Sequence, residues 1–296
     1  MHIMSAILSG KIIRDERIKE LSLKIAKFKP TPELAIFQIG DRADSTAYIK
    51  AKVDFANKIG VFVRHIHFLE NDTSEKLSQD RIILEIEKQN KNPEIKGIIV
   101  QLPLPDYLDK DAIIESIDPK KDIDGLTRYN NDLLDKNDNR AIIPATARGV
   151  MELLEYYGID VKEKNVTVVG RSRLVGSPIA KLMSNKGAIV NVAHSKTENL
   201  AQETLGADII IVAVGMISLI NKDHVRKGQI VIDVGINTVQ GERLEEEIGK
   251  RKLVGDVDFL EVSKVIGDEG AITSVPGGVG PMTVLALFEN LIDTCK

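Results

Sequence analysis

Residues 165–178, N-V-T-V-V-G-R-S-R-L-V-G-S-P, read as a strand, a glycine turn and the start of a helix. The β-branched run 165–169 is the strand, and Gly170 and Gly176 bracket the turn. A helix that opens behind such a turn presents unpaired backbone N–H groups, which suit a dinucleotide phosphate. The usual G-x-G-x-x-G spacing is not met, because Ser172 stands at its second glycine. Four further apolar runs follow: A-I-V-N-V-A-H (188–194), D-I-I-I-V-A-V-G (208–215), Q-I-V-I-D-V-G (229–235) and K-L-V-G-D-V-D (252–258). Five buried strand patterns separated by helices or loops predict a Rossmann-type, doubly wound parallel sheet.

Working back from this segment, the first half alternates in the same way. A charged helix over 10–27 leads into the strand E-L-A-I-F-Q-I (33–39), and a helix over 44–59 leads into V-F-V-R-H-I-H-F (61–68). A helix near 75–90 then precedes I-K-G-I-I-V-Q-L (95–102). Strands alternating with helices of this length predict a mostly parallel sheet covered on both faces. The polar stretch N-N-D-L-L-D-K-N-D-N-R, 130–140, reads as the boundary. The fold class is α/β, with two α/β domains: 1–140, on which a C-terminal helix 281–296 packs back, and the Rossmann domain 141–280.

At 296 residues, 43% hydrophobic and 28% charged, the chain has the composition of a globular protein of about two domains. Aromatics make up 4% and Trp is absent, so Ile, Val and Leu must build the cores. A formal net charge of −4 gives no general attraction to nucleic acid or to an anionic membrane. No apolar run approaches the roughly 20 residues of a membrane helix. The opening M-H-I-M-S-A-I-L-S-G-K lacks the positive region and long apolar core of a signal peptide. Cys295 is the only cysteine, which excludes an internal disulfide framework and makes a cytoplasmic location the default. The histidines at 2, 65, 67, 194 and 224 show no zinc spacing. D-K-N-D-N-R from Asp135 imitates a calcium loop, but Arg140 replaces its glycine and Thr146 its closing glutamate, so no metal is expected.

Four other segments carry chemistry. V-P-G-G-V-G-P-M-T (275–283) has three glycines, two prolines and no charge, which suits backbone held close to an apolar ligand or to a packed wall. Y-I-K-A-K places Tyr48 and Lys52 at i and i+4, one turn apart on one helix face, either as a stacking ring beside an amine or as an ordinary exposed pair. I-I-V-Q-L-P-L-P puts Gln101 at the carboxyl end of a buried strand, where it is either a site residue or a loop cap. D-P-K-K-D-I-D-G carries Asp122 and Asp124 before Gly125, in what is otherwise an Asp-rich turn. At the end of the strand 188–194, where NAD-binding sheets carry an acid for the ribose 2′-hydroxyl, this chain has His194, Ser195 and Lys196. With Arg171, these residues are either ordinary solvated polar groups or the pocket of a 2′-phosphate, which favours NADP over NAD.

In this order and spacing, Y-I-K-A-K, V-Q-L-P-L-P, K-D-I-D-G, G-R-S-R-L-V-G-S-P and V-P-G-G-V-G-P-M-T closely resemble the bifunctional methylenetetrahydrofolate dehydrogenase/cyclohydrolase family. The resemblance covers essentially the whole chain. It implies NADP-dependent oxidation of 5,10-methylenetetrahydrofolate, then hydrolysis of the methenyl product to 10-formyltetrahydrofolate, in one active-site cleft between the two domains of a cytoplasmic homodimer. By the same resemblance Lys52 is the catalytic lysine, Tyr48 stacks on the folate, Gln101 positions Lys52, and Asp124 anchors the pterin. Val100, Leu102, Val275, Pro276, Gly277 and Gly278 fall on substrate-lining positions, and Gly170, Arg171, Ser172, Ser195 and Ile236 on cofactor-binding ones. Two departures stand out: P-A-T-A-R-G at 144–149 where the family has P-C-T-P-x-G, and Ser274 where it has proline. The alternatives are a dehydrogenase that has lost the cyclohydrolase, another two-domain NADP dehydrogenase, and a non-catalytic folate or nucleotide binder.

Overall fold

Alternating apolar runs and amphipathic stretches fold, in a computed structural model, into β1 (Ala6–Leu8), α1 (Gly10–Ile25), β2 (Glu33–Ile39), α2 (Ala43–Ile59), β3 (Phe62–Phe68), α3 (Gln79–Lys91) and β4 (Ile95–Val100). Short helices α4 (Lys110–Glu115) and α5 (Arg128–Asp135) lead to α6 (Ala145–Tyr156). Then come β5 (Asn165–Val169), α7 (Gly176–Asn185), β6 (Ile189–Ala193), α8 (Leu200–Leu205), β7 (Ile209–Val212) and β8 (Ile230–Asp233). The chain closes with β9 (Asn237–Val239), β10 (Lys252–Val254), α9 (Phe259–Ile266), β11 (Ala271–Thr273) and α10 (Val279–Asp293). The structure describes residues 6–69, 77–239 and 252–296. They form two compact units, one of residues 16–145 with 284–296, the other of the segment up to Asp15 with residues 146–283.

In the unit built on 16–145, β2 lies between β3 and β4 in a parallel three-stranded sheet. Leu34 through Ile39 are all buried, as expected of a central parallel strand covered on both faces. Ala35, Phe37, Ile82, Ile86, Ile98 and Ile113 form the core on the α3 side. The end of α10 completes the unit from the far end of the chain. Phe288 meets Phe55 at 5.3 Å between ring centroids, and Asn290 Nδ2 donates to the carbonyls of Ile123 (2.8 Å) and Ile143 (2.9 Å). The stretch 130–140 is not a linker here. Asn130, Leu133 and Leu134 are buried on α5, and the division between units falls at Ala145/Thr146. The polar composition hid an apolar pair at adjacent positions of a short helix.

The other unit carries a six-stranded sheet in the order β1-β11-β8-β7-β5-β6, with every pair parallel. Chain progression from β5 runs outward to β6 and then back past β5 to β7, so a topological switch lies between β5 and β7. The expected fifth strand, K-L-V at 252–254, is not in this sheet; it is β10 and pairs antiparallel with β9. Its place is taken by A-I-T in β11, and A-I-L in β1 extends the sheet beyond it. These are three-residue strands, too short for alternation to register. β1, assigned by sequence to the first domain, therefore belongs to the second unit.

Candidate active site

α2 is helical because Ser45, Ile49, Lys52, Phe55, Ala56 and Ile59 repeat on one buried face, and Gly60 closes it in the left-handed region at φ 85°. Lys52 thus occupies a position that spacing alone assigns to the core, and it is 8% exposed. Burial pushes its pKa below the ordinary lysine value, against an upward pull from the Asp124 carboxylate. Its Nζ donates to Gln101 Oε1 at 2.9 Å. Tyr48, one turn earlier, is half-buried, and burial together with the nearby Asp44 raises its phenol pKa.

Gln101 follows β4, and its backbone N–H donates to Phe37 O at 2.9 Å, continuing the ladder. Its Nε2 donates to Leu102 O at 2.7 Å, so the amide turns Oε1 toward Lys52. A neutral amide holds the amine without stabilising its cation as strongly as a carboxylate would. Asp124 shares the environment: burial raises its pKa, partly offset by Lys52. Burial thus disfavours the charged form of both Lys52 and Asp124, and each charge partly offsets that effect on the other.

The neighbouring residues of K-D-I-D-G do a different job. Asp122 is fully buried. Its Oδ1 accepts from Leu126 N (3.1 Å), and its Oδ2 accepts from Thr127 N (2.8 Å), Thr127 Oγ1 (2.8 Å) and Asn130 Nδ2 (3.1 Å). Lys121 Nζ donates to the carbonyls of Gln89, Asn90 and Asn92 at the C-terminal end of α3. Gly125, at φ 70°, lies where a methyl would come within 2.7 Å of Ile142 O. Lys121, Asp122 and Gly125 thus build the turn that presents Asp124. Asp122→Ala would leave several buried donors unmatched and should cost roughly 3 kcal/mol or more of stability. Urea denaturation would measure this, with Asp124→Ala expected to cost far less.

In the other unit, the C-terminal ends of β5, β6, β7 and β8 lie along one edge of the sheet. Gly170 has φ 118°, and a Cβ there would strike Ala213 O, so the turn after β5 packs directly on the end of β7. A Cβ on Gly176 would likewise strike Gly170 O. Ser172 holds the turn together: its Oγ accepts from Val175 N (3.2 Å) and Gly176 N (3.4 Å). Arg171 and Ser195 are exposed at neighbouring strand ends. The turn after β6 is fixed by His194, whose Nδ1 accepts from Lys196 N at 3.1 Å and whose N–H donates to Thr197 Oγ1 at 2.9 Å. Ile236, 37% exposed, follows β8. The glycine turn opens onto α7, a ten-residue helix, so backbone and donor set fit a dinucleotide.

Val275 to Gly278 belong to this second unit, and the wall they pack on is the start of α1. Lys11 N donates to Gly277 O at 3.0 Å, and a Cβ on Gly10 would strike Gly278 O. Gly277 is at φ 109° and Val275–Pro276 is cis.

Comparison with known proteins places the chain in a family. The catalytic-domain model of tetrahydrofolate dehydrogenase/cyclohydrolase matches residues 8–124, and the NAD(P)-binding-domain model of the same enzyme matches residues 144–296. The chain belongs to this family. The bifunctional protein FolD of Lactobacillus acidophilus is 42% identical over 292 residues, covering 98% of this chain and 96% of its own. The crystal structure of the bifunctional FolD enzyme from Campylobacter jejuni superposes with a TM-score of 0.87 at 39% identity, covering 98% of both chains. That of the Trypanosoma brucei methylenetetrahydrofolate dehydrogenase-cyclohydrolase, complexed with NADP cofactor and an inhibitor, gives 0.89 at 33% identity, covering 98% of this chain and 97% of the other.

As a member of this family the chain makes its departure at 144–149 cheaply. Ala145 and Ala147 are fully buried in the first turn of α6, where alanine is a good helix former. Arg148 pairs with Glu152 one turn on, at 2.8 Å. Ser274 Oγ donates to Pro276 O at 3.1 Å and so ties the glycine segment to itself. Ser45, on the Lys52 face of α2, has a buried Oγ with no hydrogen-bond partner. The helical spacing Ser45–Ile49–Lys52 places it on that face.

Proposed function

We propose that the chain oxidises 5,10-methylenetetrahydrofolate with NADP and hydrolyses the methenyl product to 10-formyltetrahydrofolate, supplying one-carbon units for reactions such as purine synthesis. The observation that carries this reading is the buried Lys52–Gln101 hydrogen bond beside Asp124, in a chain matched over its length by one bifunctional family. NADP, when bound, accepts the hydride. Gly170, Arg171, Ser172, Ser195 and Ile236 would hold it, and the residues of the first unit would position the folate.

Oxidation needs little acid–base help, because the adjacent nitrogen lone pair forms an iminium as hydride departs; orientation dominates. Tyr48 offers a ring face for the folate, Val100 and Leu102 flank Gln101, and Asp124 offers paired acceptors to the aminopyrimidine edge. Hydrolysis requires water to lose a proton and a ring nitrogen to gain one. A buried amine with a lowered pKa can take the first and deliver the second. These roles are supported by the environments of Lys52, Gln101 and Asp124, and a cytoplasmic homodimer by kinship alone.

One spectrophotometric assay tests the proposal: cofactor reduction with methylenetetrahydrofolate, NADP and NAD in parallel, with methenyl hydrolysis followed separately. A charge-assisted contact to the 2′-phosphate contributes about 1.5–3 kcal/mol, so kcat/KM should favour NADP by at least about tenfold. Equal efficiency with NAD would remove Arg171 and Ser195 from the phosphate pocket. Reduction without hydrolysis would point to the monofunctional dehydrogenase.

A further inference from the structure

Where β7, β8 and β11 end, buried carboxylates and glycines interlock. Asp233 and Asp256 are 3% and 0% exposed. The Asp233 carboxyl occupies the space a Cβ on Gly255 would need, and the Asp256 carboxyl occupies the corresponding space at Gly235. Asp233 Oδ1 accepts from Gly235 N (2.9 Å) and Asp256 N (3.0 Å), and its Oδ2 accepts from Val257 N (3.0 Å). Asp256 Oδ2 accepts from Val214 N (2.8 Å) and Gly215 N (2.9 Å), and its Oδ1 from Asn237 Nδ2 (2.9 Å).

The partners of Asp256 are not scattered. Val214 and Gly215 follow Ala213, whose carbonyl packs on Gly170 in the turn after β5. Asn237 follows Ile236. One carboxylate therefore ties the segment beside the glycine turn to the segment that carries Ile236, and both lie at strand ends along one edge of the sheet. A strand end needs no buried charge to terminate; backbone N–H groups there are commonly left to water or to a ligand. Here they are gathered onto Asp256 from two loops, which fixes the loops relative to each other.

We propose that Asp256 is a positioning residue for the dinucleotide, holding the 213–215 and 234–237 segments in the one arrangement that both can offer to the cofactor. This rests on reading the 170–176 turn as the dinucleotide site. Asp256 touches no reacting atom, so its loss should act on cofactor affinity and spare hydrolysis, which consumes no cofactor.

The experiment compares Asp256→Ala, Asp256→Asn and Asn237→Ala with the parent, each checked for folding. Asp256→Ala should raise KM for NADP by roughly tenfold or more, the equivalent of about one lost hydrogen bond to a charged group. Its kcat at saturating NADP and its methenyl hydrolysis should stay near the parent. Asp256→Asn keeps an oxygen for Val214 N and Gly215 N. With the Asn237 amide turned over it restores the third bond, so it should rescue most of the affinity. Asn237→Ala cuts only the tie to the second loop and should raise KM by a smaller factor; if Asp256→Ala does not fold, this variant decides. NADP affinity unchanged in a folded variant overturns the proposal, as does a parallel fall of hydrolysis and reduction. A parent that binds no NADP sinks the dinucleotide reading itself, and the positioning role with it.

Discussion

Lys52→Met should depress methenyl hydrolysis by about 10²–10⁴-fold, the usual contribution of a positioned acid–base group, while hydride transfer falls much less. Methionine keeps most of the side-chain volume and the helix propensity, so α2 and the Tyr48 ring should survive. The loss in hydride transfer should be confined to what Gln101 contributes when its Oε1 is left without Nζ. The pH profile gives a second check. Burial lowers the pKa of Lys52 from the ordinary 10.5. As the free amine accumulates with rising pH, hydrolysis by the parent should climb through an inflection below that value, and the variant should lack it. Both rates should be measured on folded protein. Hydrolysis within a few-fold of the parent would move the proton chemistry elsewhere, and an equal collapse of both rates would make Lys52 a substrate-positioning group.

Asp124→Ala is expected to weaken folate binding by roughly 1–3 kcal/mol, about five- to 150-fold, with NADP affinity nearly intact. The carboxylate stands in the unit built on 16–145, whereas the glycine turn at 170–176 stands in the other. Asp124 is presented by a turn that Lys121 and Asp122 build, so truncating it removes the ligand's partner and leaves the turn standing. Calorimetric titration with a folate and with NADP separates the two affinities. Unchanged folate affinity with weakened NADP would invert the assignment of the units.

Much of the fold is legible in the sequence. The strand–glycine–helix segment at 165–178 points to the Rossmann-type sheet because further apolar runs follow it at regular spacing; a single glycine turn would not. Gln101 is legible from its place at the end of a buried strand, whereas the spacing of Tyr48 and Lys52 marks only a helix face and leaves open that Lys52 shares the buried face of Ile49 and Phe55. In K-D-I-D-G composition and spacing do not divide labour between two identical side chains. Only the hydrogen bonds show that Asp122 is structural. The strands β1 and β11 escape because three residues carry no period, and K-L-V-G-D-V-D resembles a buried strand although its β10 residues pair only with β9. Asp256 lies within a strand-like pattern, and no local spacing reveals its partner 42 residues upstream.

The order of the strands bears on how the chain is made. Its first strand pairs with its last, Ala6 opposite Ala271, and the unit formed by residues 16–145 waits for Phe288, Asn290 and Leu291 to complete its core. A ribosome releasing this protein from the N-terminus therefore finishes neither unit in turn. Both remain open along an edge or a face until the last two dozen or so residues emerge, and then both close on neighbouring stretches of the same tail. Contacts of such long sequence separation slow folding, and exposed strand edges invite wrong pairings in the interval. A nascent chain stalled before residue 271 should thus be a better client for chaperones than one stalled at a conventional domain boundary.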